Sequence, residues 1–107
     1  MKQRKISHYC DGQQVDSHSK DKLEIFSPND GEVIGKVSIG DEKDVNRSVE
    51  SAKKAFEVWS NTHIKDRVKI LFRTKRLFRK NMDELAELCS LENGKTVEEA
   101  KAGIEKS

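Results

Sequence analysis

The spacing of apolar residues changes near residue 41, and this change constrains the fold more than any other feature of the sequence. Upstream, Val33, Val37 and Ile39 share one face at period two, which is typical of a strand. Downstream, apolar residues recur at steps of four and three, as on one face of a helix; the first such stripe is Val45, Val49, Ala52, Phe56 and Trp59. The sequence therefore predicts a short β-structure followed by an amphipathic helical layer.

A tight turn predicts a β-hairpin whose arms are about residues 23–26 and 32–39. Pro28, the only proline of the chain, presets φ for the second position of the turn, and Gly31 can adopt the left-handed conformation that closes it. The residues before the hairpin are polar and hold one short candidate strand at about residues 6–10.

We therefore divide the chain into a polar N-terminal arm with one short strand, residues 1–22, and a hairpin plus helical layer, residues 23–107. About four amphipathic helices are predicted in the second part, at residues 42–60, 65–80, 82–93 and from 96 onward. Asp41 is a suitable N-cap for the first, and Thr96 with Glu99 forms a capping box for the last. Nothing near the end of the sequence reads as a helix stop signal, so we expect the beginning of a longer protein.

The composition is polar for so short a chain, with 34% hydrophobic and 37% charged residues. Two interpretations follow: the chain is partly disordered, or its apolar faces are covered by a larger body. The helical periodicity favours the second. The net charge of +2 excludes general binding of polyanions by bulk charge.

The second predicted helix is nevertheless strongly basic, with eight cations and one acid, Asp66. One interpretation is a phosphate-binding helix; the other is a solvated face balanced by the six acids of residues 83–99. We favour the second and expect no nucleic-acid partner. No apolar run is long enough to span a membrane and no apolar segment follows the basic start, so we expect a cytoplasmic protein with no membrane partner.

Side chains that could carry chemistry are sparse. Cys89 lies on an apolar, acid-flanked helix and is interpreted as a core residue, and Cys10 has no base placed beside it by sequence. The three histidines show no metal-ligand spacing and are predicted to lie on the surface: His8, His18 and His63. Trp59 is interpreted as a core or interface anchor. No phosphate-binding glycine loop is found, so we predict no catalytic, cofactor-binding or metal-binding residue in this chain.

Five segments, in order and spacing, resemble the aldehyde dehydrogenase superfamily. Residues 27–37 resemble its early hairpin, Asn-Pro-x-x-Gly-Glu-x-Ile followed by valine, although Ser27 stands where the family usually has Asn. The second and third matches are Ala-x-x-Ala-Phe-x-x-Trp at residues 52–59 and Arg-x-x-Ile-Leu at 67–71. The fourth is Glu-x-Gly-Lys at 92–95, which follows Asp-Glu-Leu-Ala at 83–86, and the fifth is Glu-Ala-Lys at 99–101. The resemblance implies the family's Rossmann-like α/β fold, of which this chain would hold the hairpin and about four helices.

The subfamily resemblance is divided. Residues 8–12 and 70–73 look most like methylmalonate-semialdehyde dehydrogenases, which make an acyl-CoA product, whereas residues 102–107 look closer to succinate-semialdehyde dehydrogenases. In the CoA-acylating branch an Arg commonly occupies the place of Lys106. A guanidinium and an ammonium are not interchangeable, so the use of CoA stays open.

The resemblance implies an NAD- or NADP-dependent oxidation of an aldehyde, such as methylmalonate semialdehyde, to an acid or acyl-CoA in a longer, homo-oligomeric enzyme. In that family a cysteine thiolate attacks the aldehyde and a glutamate acts as general base. These groups lie downstream of the matching segment, so no catalytic residue is carried over. By resemblance residues 23–107 are an incomplete part of the NAD(P)-binding domain, and Lys106 lies near the entrance for substrate or CoA.

We accordingly expect the 107-residue chain alone to be inactive and to bind no cofactor. An alternative function is a non-catalytic helical binding module that docks on a full-length relative. A further alternative is the remnant of a truncated gene.

Overall fold

The computed structural model describes residues 3–107, and in this range five strands precede four helices. The strands are β1 (Arg4–Ile6), β2 (His8–Cys10), β3 (Gln13–Val15), β4 (Lys22–Phe26) and β5 (Val33–Ser38), and the helices are α1 (Glu42–Trp59), α2 (Ile64–Lys80), α3 (Met82–Asn93) and α4 (Val97–Lys106). The predicted hairpin and four helices are confirmed, and the predicted helix boundaries agree with these to within about one residue.

The chain forms two compact units. The first contains the residues up to Ile25 together with Val33–Thr62, and the second contains Phe26–Glu32 together with His63–Ser107. The turn of the hairpin thus belongs with the last three helices, whereas its strands belong with α1.

The N-terminal arm holds three short strands, where the sequence predicted one. β2 and β3 pair antiparallel, with His8 opposite Val15 and Cys10 opposite Gln13. β1 pairs in parallel with β5, and the three-stranded sheet has the order β1-β5-β4. All three residues of β1 are exposed, so the strand has no buried face and its sequence shows no alternation of buried apolar and exposed polar side chains. The sequence prediction missed β1 for that reason, and it missed β3 because three residues are too few to show a period.

In the first unit, α1 begins with a reciprocal capping box. The Asp44 backbone N–H donates to the Asp41 carboxylate over 2.9 Å, and the Asp41 N–H donates to the Asp44 carboxylate over 3.0 Å. Two otherwise unpaired N–H groups of the first turn are thereby satisfied. The predicted N-cap, Asp41, is confirmed.

In the second unit, α3 and α4 pack against each other around two small residues, Ala86 and Ala100, which are 0% and 2% exposed. An ion pair of 2.8 Å between Asp83 and Lys101 joins the same two helices. Gly94 ends α3 with φ of +71°, and a Cβ there would lie 3.2 Å from the Pro28 ring of the hairpin turn. Glycine is therefore required for both the backbone conformation and the close approach.

The chain leaves much apolar surface uncovered. Large side chains of the helical stripes are among those exposed, including Phe56, Trp59, Leu71 and Phe72. Within the described residues, no helix combines the length and hydropathy needed to cross a membrane.

Candidate functional site

A groove in the second unit, with a volume of about 900 Å³, is the first candidate site. Its apolar wall comes from the stripe of α2, the start of α3 and the end of α4: Val68, Leu71, Phe72, Phe78, Met82 and Ile104. The stripe exists because Val68, Leu71, Phe72 and Phe78 lie near one face of the helix, with Lys75 between Phe72 and Phe78. The groove therefore lies where the amphipathic face of α2 meets the end of α4.

Three cations line this groove, and one of them is Lys106, the residue that the resemblance placed near a substrate entrance. The other two, Lys75 and Arg79, belong to the basic helix α2. Glu105 is the only acid among the lining residues. The surplus of positive charge beside an apolar wall suits a small ligand that combines an anionic group with a short carbon chain.

The groove lacks the groups that nucleophilic oxidation of an aldehyde requires. Its lining includes neither cysteine nor histidine, and its hydroxyl groups, on Thr74 and Ser107, have no base among the lining residues other than the exposed Glu105. The two cysteines of the chain lie elsewhere, both half-buried and both free thiols. The Cys89 sulfur accepts a 3.7 Å contact from the Asn93 amide one turn later, which accords with its interpretation as a packing residue.

A second cluster surrounds Asp44 in the first unit, and Asp44 is only 4% exposed. Its Oδ2 accepts from the Ser17 hydroxyl and from the Asp41 backbone. Its Oδ1 accepts from the backbone N–H and ring Nδ1 of His18, over 3.2 and 2.9 Å, and from the Arg47 guanidinium over 2.9 Å. One carboxylate thus joins the loop between β3 and β4 to the start of α1.

The hydrogen bonds hold the pKa of Asp44 far below its ordinary value. The Ser17 hydroxyl has the largest effect, burial opposes it, and the Asp41 backbone and both donors of His18 lower the pKa further. Donors that point at a carboxylate favour its charged form. The Asp44 side chain is therefore ionised wherever this cluster is intact.

The cluster has some features of a metal site, because ligand atoms of His18, Asp41 and Asp44 lie within 4.8 Å of one another. The donor set argues against that function. Arg47 already places a positive charge 2.9 Å from Asp44 Oδ1, and the Asp41 carboxylate caps the helix. We interpret the cluster as structural, because it holds the loop between β3 and β4 against the start of α1.

The predicted surface position is confirmed for His18 and His63 and is wrong for His8. His8 is half-buried: its Nε2 lies 3.3 Å from the Ser38 carbonyl and its Nδ1 lies 3.9 Å from Asp44. His18 is 44% exposed but holds Asp44. His63, at the start of α2, is exposed as predicted. The contacts of His8 and His18 span about thirty residues of sequence, so local patterns could not reveal them.

Comparison with known proteins bears on the family and on the fold. The sequence profile of the aldehyde dehydrogenase family matches residues 14–107. The chain belongs to the aldehyde dehydrogenase family. The resemblance built on five ordered segments is therefore confirmed, and with it the α/β fold class.

The relatives of this aldehyde dehydrogenase chain include several semialdehyde dehydrogenases. It is 36% identical over 101 residues to malonate-semialdehyde dehydrogenase of Bacillus pumilus, covering 94% of this chain and 21% of that protein. It is 39% identical over 101 residues to malonate-semialdehyde dehydrogenase 1 of Geobacillus thermodenitrificans, with the same coverage. The chain thus spans about a fifth of the length of these relatives.

Solved structures agree with this aldehyde dehydrogenase chain over nearly its whole length. A protein of Sinorhizobium meliloti described as a methylmalonate-semialdehyde dehydrogenase, in complex with NAD, matches with a TM-score of 0.91 and 37% identity. The match covers 94% of this chain and 21% of that one. A betaine aldehyde dehydrogenase of Staphylococcus aureus, in complex with NAD⁺, matches with a TM-score of 0.86 and 34% identity over 92% of this chain and 20% of its own.

Proposed function

We propose that this chain forms part of the cofactor-binding domain of an NAD-dependent enzyme that oxidises a semialdehyde, a substrate with an aldehyde at one end and a carboxylate at the other. In this proposal residues 23–107 contribute the hairpin and helical layer of that domain. Relatives named for malonate and methylmalonate semialdehyde, and relatives solved with NAD, support the substrate class and the cofactor.

The observation that carries the proposal is the cationic rim of the groove. Lys106, Lys75 and Arg79 line one apolar concavity. An ammonium attracts a carboxylate by a charge-assisted hydrogen bond, which is about twice as strong as a neutral one. In our proposal Lys106 draws the carboxylate end of the substrate toward the entrance, while the apolar wall excludes water from the short carbon chain.

The bound NAD would accept hydride from the substrate, and the reacting thiol and general base would come from the part of the family fold that this chain does not span. The role of the present residues is binding and orientation rather than bond making. Whether the acyl product leaves by hydrolysis or by transfer to CoA depends in our proposal on Lys106, because an ammonium gives an anion no bidentate partner.

A chimeric enzyme tests the proposal. The matching segment of the Sinorhizobium meliloti protein is replaced by this chain, and NADH formation is followed with malonate semialdehyde and with an uncharged aldehyde of similar length. We expect activity with both. We also expect Lys106→Ala to raise KM for the acidic substrate about tenfold, the size of one charge-assisted hydrogen bond, with little change for the uncharged aldehyde.

Lys53→Ala is the matched control, because Lys53 is an exposed lysine on α1 in the other unit. It should leave both KM values unchanged. The Lys106→Arg variant, assayed with and without CoA, shows whether a guanidinium shifts the product from free acid to thioester. A folded chimera that binds NAD but forms no NADH would contradict the proposed function.

A further inference from the structure

Helix α2 carries a row of cations on a face outside the groove. Its members follow one another at steps of four, four, three and four residues, which keeps them on one side of a helix: Lys65, Lys69, Arg73, Arg76 and Lys80. We call these five residues the basic row. All five are exposed, and none of them lines the groove. At a rise of about 1.5 Å per residue, the row is about 22 Å long.

The charge of the basic row is not balanced by the neighbouring helix α3. We expected the six acids of residues 83–99 to balance it, but in the described chain none of them forms an ion pair with the row. Asp83 instead pairs with Lys101 of α4 over 2.8 Å. Lys69 pairs with Asp66 over 3.6 Å, an exposed contact within α2, and the other four cations of the row have no ion pair with any described residue. The row therefore presents a surplus of positive charge to an external anionic partner.

Two aliphatic side chains border the basic row. Leu77 is 59% exposed and Ile70 is 45% exposed, and both lie within about one helical turn of Arg73. The phenylalanines of α2, Phe72 and Phe78, line the groove, so the row offers a nucleobase no aromatic ring for stacking. Cations beside exposed aliphatic groups suit a lipid surface, because the cations meet anionic headgroups while the aliphatic groups enter the boundary of the acyl chains.

We propose that the basic row attaches this chain to the surface of an anionic lipid bilayer, with the axis of α2 parallel to that surface. Attachment of this kind is peripheral and needs no membrane-spanning helix. Each cation that reaches anionic headgroups strengthens binding about fivefold, so the length of the row, rather than any one residue, sets the affinity. The proposal does not depend on the proposed function, because the row and the lining of the groove share no residue.

Cosedimentation with lipid vesicles tests the proposal. The 107-residue chain is mixed with vesicles of phosphatidylcholine alone, or of equal parts of phosphatidylcholine and phosphatidylserine, and the bound fraction is measured at increasing salt concentration. We expect at least about tenfold tighter binding to the anionic vesicles, and a loss of this preference as salt screens the charges. Equal binding to both kinds of vesicle would assign the attachment to exposed apolar surface and would overturn the proposal.

Two pairs of lysines provide matched variants. Lys65 and Lys69 belong to the basic row, whereas Lys53 and Lys54 are exposed on α1. Lys69 and Lys53 each pair over 3.6 Å with an exposed acid three residues earlier, so the two double substitutions remove the same charge and an equivalent ion pair. Lys65→Gln with Lys69→Gln should weaken binding to anionic vesicles at least about tenfold, and Lys53→Gln with Lys54→Gln should change it little. Equal losses would show that net charge alone attracts the chain, contrary to the proposal.

Circular dichroism must show equal helix content in the two double variants. If the variant of Lys65 and Lys69 has lost helix, Arg73→Gln with Arg76→Gln replaces it, with the same expected loss of binding. Tighter binding of the chain to polyglutamate or to a duplex oligonucleotide than to anionic vesicles, at the same salt concentration, would assign the row to an acidic protein or a nucleic acid and would overturn the proposal.

The chimera described above tests the basic row in a full-length protein and separates the proposal from the proposed function. It should bind anionic vesicles, and Lys65→Gln with Lys69→Gln should weaken that binding without changing NADH formation. A chimera that forms NADH but does not bind the vesicles would show that the rest of the family fold covers the row, which overturns the proposal and leaves the proposed function intact. A folded chimera that binds the vesicles but forms no NADH would do the reverse.

Discussion

Asp44 concentrates many hydrogen bonds in one residue, and those with Ser17 and His18 come from distant parts of the sequence. Local sequence reasoning identified Asp41 as the helix cap. The spacing of Asp41 and Asp44 could also have predicted the capping box, because a carboxylate three residues after an N-cap can accept from the N-cap backbone N–H. Ser17 and His18 could not be linked to Asp44 in this way, since they lie 27 and 26 residues before it in the sequence.

The lowered pKa of Asp44 predicts an acid-sensitive first unit. A carboxyl group whose pKa is lower in the folded state stabilises the fold above its ordinary pKa of 3.8, and this contribution is lost as the pH falls further. Asp44→Asn should therefore lower the free energy of unfolding near neutral pH. The difference in that free energy between the variant and the unmodified chain should become smaller as the pH falls below 3.8. Urea unfolding followed by far-UV circular dichroism measures both effects.

Glu42→Gln serves as the control, because Glu42 is an exposed acid in the same helical turn. It should show a small difference with little dependence on pH in the acid range. A difference for Asp44→Asn that stayed constant down to strongly acid pH would show that the carboxylate charge does not support the cluster.

Two glycines of the second unit should respond in opposite directions to alanine. Gly94 has φ of +71° and packs on Pro28, so Gly94→Ala should cost at least about 1–2 kcal/mol from backbone strain. Gly103 lies within α4 and faces open space, so Gly103→Ala should stabilise the helix by up to about 1 kcal/mol. Urea midpoints of the two variants test this, and equal shifts would refute it.

At the scale of elements, the helices were predictable and the first strands were not. Helical stripes repeat over many residues, and caps such as Asp41 and Thr96 mark where they begin. β1 and β3 have three residues each and are mostly exposed. Their existence depends on backbone pairing with β5 and β2, which leaves no periodic trace in three residues.

The capping box of α4 gives a prediction about this element alone. The Thr96 hydroxyl accepts from the Glu99 N–H and the Glu99 carboxylate accepts from the Thr96 N–H, each over 3.2 Å. Thr96→Ala should therefore destabilise α4 by about 1 kcal/mol. Thr74→Ala, an exposed change within α2, should be neutral or slightly favourable to helix. Circular dichroism measures the helix content of both variants. An equal loss of helix in Thr96→Ala and Thr74→Ala would mean that the cap contributes little to the stability of α4.

At the scale of the whole molecule, the polar composition left partial disorder and coverage by a larger body both open, and the helical periodicity favoured the second. The structure agrees, because within the described residues the fully buried apolar side chains are only Ala86 and Ala100. The groove around Lys106 could not be foreseen from spacing, since it joins residues 68–82 to residues 104–107 through the packing of α3 and α4. The resemblance to the family placed Lys106 near an entrance, which remains a prediction.

The isolated 107-residue chain should not oxidise aldehydes, and it should unfold over a broad range of temperature. The family's reacting groups lie downstream of the matching segment by resemblance, and so small a buried core favours marginal stability. NADH formation and calorimetry of the purified chain test the two statements. Activity abolished by substituting one of the chain's own side chains, or a sharp monomeric melt, would contradict them.

The exposed stripe of α2 also determines how the isolated 107-residue chain should behave in solution. Leu71 and Phe72 are 64% and 61% exposed, and exposed apolar side chains of this size bring copies of a chain together. Concentrated solutions of the isolated chain should therefore aggregate sooner than dilute ones.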